Sequence, residues 1–71
     1  MDAQIDGIQV KNIHFEQAYK GNIHLCATIE GKQRKYIFRQ TAAEYSKILS
    51  YNLSDVPRSL LIEWVKKYLL K

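Results

Sequence analysis

The stretch Ile23–Arg39, IHLCATIEGKQRKYIFR, constrains the fold more tightly than any other part of the chain. Ile23, Leu25, Ala27 and Ile29 alternate with His24, Cys26, Thr28 and Glu30, the period-two pattern of a strand with one buried face. Gly31-Lys32 offers a two-residue loop, so the segment is expected to form a β-hairpin. Pairing Glu30 with Gln33 sets Ile29 opposite Arg34, Ala27 opposite Tyr36 and Leu25 opposite Phe38. Thr28, Cys26 and His24 then face Lys35, Ile37 and Arg39 on the other side. A slip of one residue would turn charged side chains into the core, so the assignment of faces is strongly specified.

The segment upstream extends the same sheet. Ile8 and Val10 share one parity and Ile13 and Phe15 the other, which implies a β-bulge or a break at Lys11-Asn12. Setting Phe15 opposite Leu25 leaves Tyr19-Lys20-Gly21 as a three-residue loop whose last position favours glycine. The same register pairs Ile13 with Ala27, His14 with Cys26 and Glu16 with His24. Met1–Gly7 reads as a loose, flexible lead-in.

Beyond Gln40 the periodicity becomes helical. Thr41-Ala42-Ala43-Glu44 matches a capping box, and Tyr45, Ile48 and Leu49 continue a stripe to about Tyr51. Ser54 or Asp55 is placed to cap a second helix with Pro57 in its first turn. There Leu61, Trp64, Val65, Tyr68 and Leu69 form the main stripe, widened by Ile62 and flanked by Leu60 and Leu70. That arc exceeds what one sheet face requires. The expected fold is α+β, a single domain over residues 1–71: a three-stranded antiparallel meander followed by two helices packed on one face. The inward set is Ile13, Phe15, Leu25, Ala27, Ile29, Tyr36, Phe38, Tyr45, Ile48, Leu49, Leu61, Trp64, Val65 and Tyr68. This order of elements recurs in unrelated small domains, and no motif names a family.

Composition narrows the function classes. One cysteine, Cys26, precludes an internal disulfide, and the opening MDAQIDGIQV does not have the pattern of a secretion signal. Glu63, Lys66 and Lys67 interrupt the most apolar segment, so a membrane span is not expected, and the default location is cytoplasmic. Trp64 with Lys66, Lys67 and Lys71 resembles a surface-membrane helix in outline, but burial of its apolar residues explains it more simply. A chain of 71 residues with 46% apolar content suits one domain with a thin stability margin, for which self-association is a natural supplement.

Four surfaces remain for function. Net charge is +4, and Lys32, Arg34, Lys35 and Arg39 with Lys20 form a basic group suited to phosphates of a nucleic acid. His14, Glu16, His24 and Cys26 make a square on the outer sheet face whose imidazoles and thiol suit a metal, with His14, His24 and Cys26 as the ligand candidates. The same thiol and imidazoles could form a nucleophile pair, but an open sheet lacks the cleft and oxyanion donors that catalysis needs. Tyr51, Ile62, Leu70, Cys26 and Ile37 are candidates for a protein interface. The expectation is a non-enzymatic binding module without a cofactor, engaging a protein or a second copy of itself through the C-terminal helix or the outer sheet face. Nucleic-acid binding is the alternative and a metal site the remote one.

Overall fold

Local turn chemistry organises the sheet. The computed structural model describes residues 1–70 and contains a four-stranded antiparallel sheet, β1 (Ala3–Ile5), β2 (Ile8–Gln17), β3 (Ile23–Ile29) and β4 (Lys32–Phe38), in that spatial order. Met1–Gly7, expected as a loose lead-in, thus supplies a fourth strand. Asp6 (φ 51°) and Gly7 (φ 79°) both take positive φ. That is the type I′ turn, whose twist matches the strands on either side and which Asp-Gly favours. The register sets Ala3 opposite Val10 and Ile5 opposite Ile8, and buries Ala3 and Ile5.

The expected bulge lies between Lys11 and His14, with Asn12 at φ 55°. Beyond it Phe15 faces Leu25, His14 faces Cys26 and Glu16 faces His24, the register the two apolar alternations require. Gly21 (φ 77°) closes the loop as anticipated, with Lys20 (φ 63°) also left-handed.

The last hairpin differs from expectation by two residues. Its loop is Glu30-Gly31, not Gly31-Lys32, with φ of 51° and 81° in a second type I′ turn. Leu25 therefore faces Tyr36, Ile23 faces Phe38, Ala27 faces Arg34 and Cys26 faces Lys35. Gly31 occupies the second loop position of a I′ turn instead of the first position of a II′ turn, and a two-residue shift returns every side chain to the same face.

Two short helices cover the inner face. α1 (Tyr45–Leu49) and α2 (Arg58–Trp64) are joined by an irregular segment, and α2 continues as a π-helical turn, Val65–Leu69. The capping box is not formed. Glu44 instead accepts a hydrogen bond from the Tyr68 hydroxyl and lies 3.7 Å from Lys67 Nζ, so a tertiary contact replaces the local cap. α1 starts at Tyr45 and ends at Leu49, short of Tyr51. Pro57, not Ser54 or Asp55, stands at the start of α2.

Ile48, Val56, Leu61, Trp64, Val65 and Leu69 close over the sheet residues Ile5, Val10, Ile13, Phe15, Ile23, Leu25 and Phe38 in one buried cluster. Phe15 meets Trp64 edge-on at 5.7 Å between ring centroids, and Phe38 meets Tyr68 at 5.0 Å. Tyr45 and Tyr68 pack against the cluster half-buried. Two residues expected inside are not. Leu49, 47% exposed, is rotated one helical step away from the buried Ile48, and Tyr36, 38% exposed, lies at the margin of the helical cover, edge-on to Phe38 at 5.0 Å and stacked on Tyr68 at 4.4 Å. No helix among the described residues is long and apolar enough to cross a membrane. Lys71, read with Trp64, Lys66 and Lys67 as the outline of a surface-membrane helix, lies outside the described residues.

Candidate functional site

The outer sheet face, with no helix over it, assembles the most concentrated group of chemically active side chains. Because residues on adjacent antiparallel strands pair directly, the alternation of β2 after its bulge and of β3 places His14, Glu16, His24 and Cys26 on that face. The Cys26 thiol donates to Glu16 Oε2 at 3.0 Å, and His14 Nε2 stands 3.6 Å from the same oxygen. One ligand atom from each of His14, Glu16 and Cys26 lies within 4.8 Å of the others. His24, although directly opposite Glu16, is not part of this triad.

The bulge orients the group. Asn12 N–H donates to Asp2 Oδ1 at 2.9 Å, and Asn12 O lies 2.7 Å from His14 Nδ1. A carbonyl oxygen can only accept, so Nδ1 carries the proton in the neutral ring and Nε2 is left with its lone pair toward Glu16. Asp2 belongs to the segment leading into β1, which links the unforeseen strand to the orientation of the site.

Electrostatics follow from the contacts. The hydrogen bond from Cys26, with the positive charge of the His14 ring when it is protonated, holds the Glu16 carboxyl below its ordinary range. Burial, followed by the facing Glu16, pushes the Cys26 thiol up to about 12. Such a thiol stays protonated at neutral pH and is a poor nucleophile, which weighs against the cysteine-histidine nucleophile pair. An open groove of about 480 Å³ runs beside the triad, bounded by Asn12, Thr28, Gln33 and Lys35.

The basic group is spread out. Lys35 lies on the outer face opposite Cys26, whereas Lys32 and Arg34 alternate onto the inner face and remain exposed because the helices do not reach them. Lys20 sits at the other end of β4, where its carbonyl accepts from Gln40 Nε2 at 3.2 Å, close in sequence to Arg39. At about 3.3 Å per residue, Lys32 and Arg39 are roughly 20 Å apart or more, so the five cations form a line and not one patch.

Among the interface candidates, Tyr51, Ile62 and Leu70 are half-buried and pack against the core, which accounts for part of the wide apolar arc. Ile37, 43% exposed, remains open on the outer face opposite His24, and Cys26 is engaged by Glu16. Sequence reasoning missed Asn12 and Asp2 as orienting groups. The bulge was legible in the parity change, but the hydrogen bonds made by its backbone depend on a strand that had not been foreseen. No protein-family model matches the chain, and no curated protein or solved structure matches it either.

Proposed function

We propose that the protein is a non-enzymatic binding module that takes an extended acidic segment of a protein partner along the outer edge of β4. The observation that carries this reading is that β4 is paired to β3 alone, while six of its seven residues are exposed. The outer edge of such a strand offers alternating unpaired N–H and C=O groups, on which an extended peptide can add as a further strand.

Charge selects the occupant. Lys32, Arg34 and Lys35 line the strand, Arg39 follows it, and no acidic residue intervenes before Glu44. Among the described residues none of these four cations is ion-paired. Cations on both faces of one strand match an incoming strand with acidic residues at successive positions, while Tyr36 and Ile37 add apolar contact. A second copy fits less well, because a two-fold pairing centred on the middle residue sets Lys35 against itself, and charged edges discourage pairing between like sheets.

The test is fluorescence anisotropy with a labelled extended peptide carrying glutamates at successive positions flanked by valines, and separately with a duplex oligonucleotide, combined with amide hydrogen exchange. The peptide is expected to bind in a salt-sensitive manner and to slow exchange along β4. The double substitution Arg34→Glu and Lys35→Glu is expected to lower its affinity about tenfold or more. Tighter binding of the oligonucleotide, concentration-dependent dimerisation that itself protects β4, or unchanged β4 exchange with peptide present would each overturn the reading.

A further inference from the structure

We infer that the outer sheet face carries a zinc(II) site formed by His14 Nε2, the Glu16 carboxylate and Cys26 Sγ. The donors come from adjacent strands of one hairpin, so the sheet itself holds their Cα positions. Tetrahedral coordination at about 2.0–2.3 Å places ligand atoms roughly 3.3–3.7 Å apart. The 3.0 Å between Cys26 Sγ and Glu16 Oε2 and the 3.6 Å between Glu16 Oε2 and His14 Nε2 already approach that spacing, and the widest separation is within 4.8 Å. The widest of the three is the one between His14 Nε2 and Cys26 Sγ, and closing it takes a small movement of those two half-buried side chains, with the exposed Glu16 following.

A second observation lies outside the triad. Metal-binding histidines almost always engage their other ring nitrogen with a carbonyl or carboxylate, which sets the tautomer and aims the lone pair. Asn12 O does this for His14 Nδ1 at 2.7 Å, and Asn12 is itself held at φ 55° by the bulge with its N–H on Asp2 Oδ1. This frame belongs to β2 and the segment before β1, independent of Glu16 and Cys26. An ordinary polar sheet face does not require it.

The donor set selects the metal. Thiolate and imidazole favour zinc over magnesium or calcium, and one thiolate with one carboxylate neutralises a divalent ion. Binding replaces the S–H bond of Cys26 by an S–Zn bond and releases the proton to solvent. Three protein donors leave the fourth position to water or to a donor from a partner.

The test uses the full chain without an affinity tag, stripped with a chelator. Equilibrium dialysis against zinc with elemental analysis is expected to give about one equivalent per chain. Cobalt(II) in its place is expected to give visible bands of a tetrahedral site and a near-ultraviolet thiolate charge-transfer band. Cys26→Ser should abolish the charge-transfer band and His14→Gln should weaken uptake at least about tenfold, whereas His24→Gln should change neither. Circular dichroism confirms that each variant is folded. Sub-stoichiometric zinc, a cobalt spectrum without thiolate charge transfer, or uptake indifferent to Cys26→Ser and His14→Gln would overturn the proposal, and the wild-type spectrum decides the matter even if a variant fails to fold.

Discussion

Truncating Ile5 to alanine tests whether β1 is an integral strand. Ile5 is 3% exposed and sits in the cluster that also contains Val10, Ile13 and Trp64. The substitution removes three buried carbons; at about 0.8 kcal/mol each this is about 2.4 kcal/mol, and a residual cavity raises the cost to about 2–4 kcal/mol. At roughly 0.05–0.15 kcal/mol per residue the whole domain is stable by only about 4–11 kcal/mol, so the loss should be large. Trp64, the single tryptophan, is 4% exposed and packs on Phe15, so its fluorescence reports global unfolding. Urea titration followed by that signal should show a lower midpoint with an unchanged slope. Gln4→Ala, on the exposed face of the same strand, should stay within about 0.5 kcal/mol. A cost for Ile5→Ala as small as that of Gln4→Ala would mean that β1 is not an integral strand and would return Met1–Gly7 to a loose lead-in.

Two further outcomes follow from the turns and the thiol. Gly21→Ala should destabilise slightly more than Gly31→Ala: both have positive φ, costing about 1–2 kcal/mol for a side chain, but a Cβ at Gly21 swings the exposed Gln40 amide away from its hydrogen bond to Lys20 O while Gly31 faces open space. Equal losses in urea titrations would remove Gln40 from the account. In chelator-treated protein, Cys26 at about 12 instead of 9.0 holds roughly a thousandfold less thiolate than an ordinary thiol, and alkylation below pH 9 should be slowed by about that factor. Because the shift is upward, the stability it contributes is fully present below about pH 9 and is lost as pH rises toward 12. Glu16→Gln should speed alkylation only part of the way, since burial is the larger cause; a wild-type rate equal to that of free cysteine would contradict the contact.

Much of the site was legible because strand parity is a local property. His14, Glu16, His24 and Cys26 alternate with buried apolar residues, so any pairing that buries Phe15 and Leu25 sends the four to the opposite face. From His14 onward the β2–β3 register was equally legible, since Gly21 and the Phe15–Leu25 pair demand the same alignment, whereas the expected Ile13–Ala27 pair falls in the irregular stretch at the bulge. The β3–β4 register was not, because Glu30-Gly31 and Gly31-Lys32 loops differ by two residues and preserve every face. Asp6-Gly7 was a strong hairpin signal, but the strand before it is only Ala3–Ile5, too short for alternation to stand out.

The faces of β2 and β3, the bulge in β2 and the turn closed by Gly21 were written in local sequence, because they follow from a two-residue period and from left-handed backbone at a few positions. Tertiary structure decided the rest. It drew Glu44 from its cap to Tyr68, left Leu49 and Tyr36 outside, and left Lys32 and Arg34 uncovered on the inner face. It also brought Asp2 to the Asn12 bulge, ten residues away along the chain, and so set the His14 ring. These depend on how far the helices extend over the sheet and on which distant groups meet, and no local pattern encodes either.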